Sequence, residues 1–99
     1  MNIEHYTSKL GPLLKMQQLS IRGKIVANHY KIICKYGYAL QSYDSIVAIS
    51  MDGHIPVFGC NWDYSNTTIK HISAYFGGTP TEIRQGIKSN KFGYDKDIV

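Results

Sequence analysis

The spacing of apolar positions divides the chain, taken as one domain of residues 1–99, into three parts. Residues 1–18 fit either a short helix over Lys9–Gln18 or an irregular arm docked by its leucines. Residues 19–60 are rich in the β-branched and aromatic types that favour strands. Residues 66–92 place apolar side chains at helical spacing. This order predicts an α+β fold, in which a small antiparallel sheet of four or five strands packs against two C-terminal helices.

Turn residues separate the apolar runs of the central part. We expect strands over residues 19–27, 30–36, 38–43, 45–50 and 55–60. The run at 45–50 is almost continuously apolar, which indicates a central strand. A turn at Asn28-His29 would make His29 a polar turn or edge residue. Asp52-Gly53 predicts a type I′ hairpin, because that turn needs positive φ at both central residues. Pro56 has no N–H for a ladder and therefore predicts a strand that lies at an edge or is joined to its neighbour by its other face.

The first predicted helix follows the only tryptophan, Trp62, which we expect to anchor it together with Tyr64. Thr67 is the predicted N-cap, because helix-starting hydroxyl residues cluster there and apolar residues follow. The inner face then consists of positions at helical spacing, namely Ile69, Ile72 and Phe76. Gly77-Gly78 ends the helix, since glycine adopts the left-handed conformation easily.

The second predicted helix starts at a capping box, with Thr79 as the cap, Pro80 in the first turn and Glu82 three residues after the cap. Its inner stripe is Ile83 and Ile87, and Phe92 tucks back after its end. Arg84 and Lys88 are expected to face water. The polar tail, Tyr94–Val99, is expected to fray.

Composition supports a packed core and shows no single-sign tail. Hydrophobic residues make up 43% of the chain and aromatic residues 12%, and the formal net charge is +4. All of this excess lies in residues 1–50, where six basic residues face only Glu4 and Asp44. Cys34 and Cys60 are expected to be free thiols in a cytoplasmic protein, with a bridge between them as the alternative. We expect no signal peptide and no membrane span.

The segment around Trp62 carries chemistry-bearing side chains, but we interpret it as a structural motif. Its members are Trp62, Asp63, Tyr64, Ser65, Thr67, Thr68 and His71. Hydroxyl residues at a helix start satisfy free N–H groups, and an acidic residue there favours the positive end of the helix dipole. No nucleophile elbow, phosphate loop or metal-ligand spacing accompanies them. We therefore predict no catalytic residue, no metal site and no cofactor.

The predicted binding surface is a basic, tyrosine-bearing face of the sheet. It consists of Tyr30, Lys31, Lys35, Tyr36, Tyr38 and Tyr43. Tyrosine gives large contact area at little entropic cost, which suits protein binding. The same tyrosines could stack bases while the lysines contact phosphates, so nucleic-acid binding is the alternative.

Two segments resemble a family of small proteins of unknown function from bacteriophages and mobile elements. The strand Ser42–Ala48 is similar to the pattern S-Y-x-[TS]-x-[IV]-A of that family, and Asp63–His71 is similar to its D-Y-S-x-T-T-x-x-H helix start. The resemblance covers roughly residues 38–76 and leaves the first 37 outside it. It implies an origin in a phage or mobile element and brings no catalytic residue with it. From that origin we expect a non-enzymatic accessory protein that binds a host or phage protein in the host cytoplasm, in host takeover or anti-defence.

Overall fold

The computed structural model describes residues 3–99, with side chains from Tyr6 onward. The elements in this range are α1 (Ile3–Leu10), β1 (Leu13–Ile21), β2 (Lys24–Cys34), β3 (Gly37–Ser42), β4 (Ser45–Met51), β5 (Val57–Gly59), α2 (Asn66–Tyr75), α3 (Pro80–Lys88) and β6 (Gly93–Asp95). The strands form one sheet whose spatial order equals the chain order. β1 to β5 pair antiparallel, and β6 joins β5 in parallel. The α+β class and the two C-terminal helices are confirmed, with six strands in place of four or five.

The sheet separates two apolar cores. The larger core lies under α2 and α3, and its buried members are Leu19, Leu40, Val47, Ala48, Phe58, Trp62, Ile72 and Ile83. The smaller core lies between the sheet and α1, and its buried members are Tyr6, Leu10, Ala39, Ile49 and Ile98. Because α1 is only 8 residues long, the outer strands on its side of the sheet remain uncovered, as described below.

The N-terminal part differs from the prediction, because the helix lies earlier than expected. α1 ends at Leu10, where Gly11 takes φ 77°, and a strand begins at Leu13. The expected helix over Lys9–Gln18 is therefore wrong, as is an irregular arm. Pro12 has no N–H to continue a helix. The residues after it pair with β2, and this tertiary pairing overrides the weak helical pattern of the leucines.

The first hairpin turn lies at Arg22-Gly23 and not at Asn28-His29. Arg22 has φ 54° and Gly23 has φ 80°, the positive values that a type I′ turn requires. β2 then runs through Asn28, which has φ 62° inside the strand. A large bulge accounts for this conformation. Ser20 pairs with Ile25 but Gln18 pairs with Tyr30, so residues 26–29 bulge out of the β1–β2 ladder.

The end of the sheet also corrects the prediction made from Pro56. β4 is an inner strand, as expected, but β5 has β4 on one side and β6 on the other, so it is not an edge. Pro56 lies just outside β5, and its carbonyl accepts a hydrogen bond of 2.8 Å from the N–H of Gly93. In the preceding turn only Gly53 has positive φ, at 79°, so the expected type I′ geometry at Asp52-Gly53 is wrong.

The C-terminal tail is packed and does not have the frayed form that its polarity predicted. Residues 93–95 form β6, and Ile98 is completely buried in the smaller core. The N–H of Cys60 donates to the carbonyl of Ile98 over 3.1 Å. The Tyr6 hydroxyl of α1 donates to the Asp95 carboxylate. Burial, followed by this bond, raises the pKa of Tyr6 from 10.0 to about 12.

The second predicted helix is confirmed in detail. Thr79 and Glu82 form the reciprocal capping box, with Pro80 in the first turn. Gly86 is buried under the ring of Phe92, which folds back onto the helix, and a β-carbon at Gly86 would lie only 2.4 Å from that ring. α2 ends at Tyr75, with Gly77 in the left-handed conformation at φ 77°, also as expected.

Candidate functional site

A chain of buried hydrogen bonds connects the sheet to the start of α2. The ring Nδ1 of His29 lies 2.8 Å from the carbonyl oxygen of Ala27, and its Nε2 lies 3.0 Å from Ser42 Oγ. Ser42 Oγ is 2.8 Å from Thr68 Oγ1. Thr68 Oγ1 is in turn 3.1 Å from Ser65 Oγ. Three of these side chains are almost inaccessible to solvent, namely His29, Ser42 and Thr68 at 0%, 4% and 3% exposure.

The bonding pattern assigns one consistent direction to the protons of this chain. A carbonyl only accepts, so His29 Nδ1 carries a hydrogen and donates it to Ala27. Ser65 donates to Thr68, and Thr68 then donates to Ser42. In this arrangement Ser42 donates to Nε2 of His29. Every hydroxyl of the hydrogen-bond chain thereby has a partner.

The N-cap of α2 is Ser65, which corrects the assignment to Thr67. Ser65 has the extended conformation of a cap, and its Oγ accepts from the N–H of Thr68 over 3.1 Å. Thr67 lies inside the first turn and is exposed. The expected inner face is confirmed, since Ile72 is fully buried and Ile69 and Phe76 pack against the same core.

The two aromatic residues before α2 have different environments. Trp62 is 3% exposed and packs edge-on against Phe58 at a centroid distance of 5.4 Å, as an anchor should. Tyr64 is 82% exposed, so its predicted anchoring role is wrong. Asp63 pairs with Arg84 of α3 at 3.6 Å, and the Arg84 guanidinium also lies 5.6 Å from the Trp62 ring centroid. The motif therefore holds α3 as well as α2.

The acidic residue of the motif, Asp63, and its imidazole residue, His71, contact different parts of the protein. Asp63 is engaged with Arg84, whereas the ring of His71 lies edge-on to His29 at 5.2 Å between centroids. The pKa of His71 is lowered from 6.5, first by burial and then by the nearby His29 and Lys70. Asp63 and His71 are therefore not positioned as an acid–base pair.

A pocket of about 530 Å³ opens above the hydrogen-bond chain. Its lining comes from the two segments that resemble the phage family, together with Asn61. The lining residues are Ser42, Tyr43, Asp44, Ser45, Val47, Asn61, Tyr64, Ser65, Thr67 and Thr68. Ser42 and His29 have the separation of a nucleophile and its base. However, Ser42 also accepts from Thr68 inside the protein, so its oxygen is engaged in the bond between sheet and helix. The arrangement fits a structural connection.

His29 is the member of this chain that the sequence reasoning missed. It was expected at a turn, but it pairs with Ser42 across β2 and β3 and is completely buried. The signal that could have placed it was the alternation along β2, which puts His29 on the same side of the strand as Lys31 and Ile33. That signal becomes visible only once the hairpin turn is placed at Arg22-Gly23.

The six residues of the predicted binding surface are divided between different sides of the molecule. Lys31 and Tyr38 lie on the helix side, where the Lys31 ammonium is 4.4 Å from the Tyr38 ring centroid and 5.6 Å from that of Tyr75. Lys35 and Tyr36 form the β2–β3 turn and contact each other at 5.3 Å. The side chain of Tyr30 belongs to the opposite face from its neighbour Lys31.

Tyr43 is separate from both groups, at the β3–β4 turn with φ 53°. It is 51% exposed and stacks edge-on to His29 at 5.8 Å. Together these placements mean that the six residues do not make one continuous basic, tyrosine-bearing face. The lysine–tyrosine pairs that were expected to meet a ligand contact each other instead.

A different surface is exposed and apolar, on the α1 side of the sheet. Leu13 and Met16 of β1 are 62% and 52% exposed, and they pair with Cys34 and Ile32 of β2. Beside them a groove of about 210 Å³ runs between α1 and the sheet, and it also contains Ile46. We call Leu13, Met16, Ile32 and Ile46 the open sheet face.

The open sheet face adjoins the edge strand β1. In the sheet formed by residues 3–99, β1 has a neighbour on one side only. Its residues 13–18 are all exposed, over a strand of 9 residues. A long exposed edge with apolar side chains is a template for pairing with another chain.

One of the two cysteines, Cys34, lines the groove beside the open sheet face. Cys34 and Cys60 are both free, as expected. Burial raises the pKa of the Cys34 thiol. In the part of the chain that is described, no group of three or more His, Cys, Asp or Glu side chains is arranged to hold a metal ion. No helix between residues 3 and 99 has the length and apolar content of a membrane span.

The molecule is thus a small α+β domain with a six-stranded, almost fully antiparallel sheet. The chain belongs to a family of unknown function (DUF8033), and the model of that family matches residues 3–91. The match includes α1, β1 and β2, and so covers both the hydrogen-bond chain and the open sheet face. No curated protein matches the chain, and no solved structure matches it.

Proposed function

We propose that this protein is a non-enzymatic phage or mobile-element accessory protein that binds a host or phage protein in the host cytoplasm. The observation that carries the proposal is the exposed edge strand β1 beside the open sheet face. The phage origin is supported by the resemblance of Ser42–Ala48 and Asp63–His71 to such proteins. A role in host takeover or anti-defence is inferred from that origin.

The occupant that fits this surface is an extended apolar segment of the partner. Such a segment can add a strand to β1 through main-chain hydrogen bonds, with alternate side chains entering the groove next to Leu13. The groove is largely apolar, so apolar side chains of the partner gain most from burial there, at roughly 25 cal/mol per Å². A main-chain ladder along β1 fixes the register of the bound segment.

The test compares a substitution on the open sheet face with one elsewhere. Met16→Asp places a charge in the proposed interface, whereas Thr81→Asp alters an exposed position on α3. Partners captured from host and from phage-infected lysate are identified, purified and titrated against each variant. We expect Met16→Asp to weaken binding by about tenfold or more and Thr81→Asp to leave it unchanged.

Two outcomes would overturn the proposal. One is a purified partner whose affinity is the same for Met16→Asp as for the original chain. The other is self-association that Met16→Asp abolishes, because the edge strand then serves a second copy of this chain. Thermal unfolding of both variants serves as the control that each retains the fold.

Nucleic-acid binding is the second candidate, and the charge distribution favours it. Between Glu4 and Asp44 the sequence contains no acidic residue and six basic ones. The contact of Lys31 with Tyr38 and Tyr75 speaks against base stacking there. The test of this candidate is titration with single-stranded DNA and RNA, first at low salt and then at rising salt. Binding driven by phosphate contacts is strongest at low salt and weakens steeply as the salt concentration rises. No binding at micromolar protein removes this candidate.

A further inference from the structure

A second groove, on the other side of β1, collects unpaired positive charge. It has a volume of about 450 Å³ and lies between the β1–β2 hairpin and α2. Arg22 and Lys24 come from the hairpin turn, and Lys70 and His71 come from α2. The tight turn at Arg22-Gly23 and the bulge after Lys24 fix the hairpin cations beside the helix.

No carboxylate among the described residues lines this groove. Within residues 3–99, none of Arg22, Lys24 and Lys70 forms an ion pair with a described carboxylate. Three like charges around one concave surface raise its positive potential and attract anions. The nearby cation Lys70 also contributes to lowering the pKa of His71, in agreement with an excess of positive charge.

The remaining residues of the groove lining indicate what kind of anion the groove would bind. It is aliphatic, and its members are Ile21, Ile25, Val26, Ala27 and Ala74. Ile25 is 70% exposed. The lining has no Trp, Tyr or Phe on which a base could stack, and its one aromatic ring, His71, lies edge-on to His29 at 5.2 Å. A peptide segment whose carboxylates alternate with aliphatic side chains satisfies both the charges and the apolar walls.

We infer that the groove between the β1–β2 hairpin and α2 binds an acidic, aliphatic segment of the partner protein through Arg22, Lys24 and Lys70. The inference rests on the proposed function, because it supplies the chemistry of the same partner. β1 borders both grooves, since Leu13 lines the apolar one and Ile21 the basic one. One bound chain can therefore pair along β1 and place its acidic residues at the hairpin end.

The direct test uses a synthetic peptide of alternating glutamate and leucine and its counterpart with glutamine in place of glutamate. The double variant Lys24→Gln with Lys70→Gln removes two groove charges. Lys88→Gln with Lys91→Gln is the matched control, since both residues are exposed and outside the groove. We expect the glutamate peptide to bind about tenfold tighter than the glutamine peptide, and the groove variant alone to lose this preference.

Equal binding of the two peptides, or equal loss in the groove and control variants, overturns the inference. So does tighter binding of a single-stranded oligonucleotide of the same charge, which would assign the groove to nucleic acid. The two proposals separate on the purified partner. Loss of binding with Met16→Asp but not with the groove variant leaves only the proposed function standing. Loss with the groove variant but not with Met16→Asp refutes the open sheet face as the interface.

Discussion

The hydroxyl oxygens of Ser42 on β3 and Thr68 on α2 lie 2.8 Å apart, and their hydrogen bond joins the sheet to the helix inside the protein. Both side chains are buried, so neither can exchange its partner for water. The same Ser42 oxygen is 3.0 Å from the ring of His29. Three elements therefore meet at one serine, and its removal takes one hydrogen-bond partner from each of His29 and Thr68.

Ser42→Ala is expected to lower the free energy of unfolding by about 1–3 kcal/mol, because buried groups of His29 and Thr68 lose a partner. Urea denaturation of the two proteins measures it. Ser73→Ala is the matched control, since Ser73 is equally buried but its hydroxyl has no partner among the described residues. We expect that substitution to be neutral or stabilising. Similar losses for both would contradict the described bonding.

Ser65→Ala is expected to cost about 1 kcal/mol, since the Thr68 N–H then loses its capping oxygen. Thr67→Ala tests the alternative cap assignment, and we expect a change within about 0.5 kcal/mol for this exposed residue. Chemical denaturation with circular dichroism measures both. The reverse ranking would move the start of α2 to Thr67.

Ile98→Ala is expected to destabilise the protein by about 2–5 kcal/mol, because the side chain is completely buried in the smaller core. Val99→Ala, next to it, changes a side chain that is 44% exposed and should cost about 0.5 kcal/mol or less. Thermal unfolding monitored for the two variants distinguishes them. Equal melting temperatures would mean that the tail is not part of the core.

Stability is expected to fall as the pH drops below about 6.5, in part through His71. Its pKa is lowered from 6.5 in the folded state, so the unfolded chain binds the proton first on acidification. The free energy of unfolding is then unaffected by His71 above that pH and declines below it. His71→Gln removes this contribution. Denaturation at about pH 8 and about pH 5 should show a smaller loss in the variant, and an equal loss would contradict the assignment.

Local signals predicted the helical half of the fold well. The capping box at Thr79 and Glu82 and the apolar face of Ile72 and Phe76 are determined by residues within one or two turns. The helix start was misplaced by two residues, because Ser65, Asn66, Thr67 and Thr68 are all residues that favour a helix start. Only the hydrogen bond from the Thr68 N–H identifies the cap.

The sheet was harder to predict, because its errors depend on pairing between distant residues. Asn28 adopts the left-handed conformation that its residue type favours, but it does so inside a bulge of β2. The carbonyl of Asn28 accepts a hydrogen bond of 2.7 Å from the N–H of Tyr43, a contact between distant residues. Pro56 could not reveal that a strand from the C-terminus pairs beside it. The six residues of the predicted binding surface were assigned to one face for the same reason, since faces follow from register and a shift of one residue exchanges them.

The most direct test of the proposed interface is amide hydrogen exchange across β1, Leu13–Ile21, in the free protein and with the purified partner. Pairing with a partner strand predicts that the outward-facing amides of β1 slow by about tenfold or more, while those of α3 stay unchanged. Unchanged exchange in β1, in a sample where the complex is fully formed, would contradict the account.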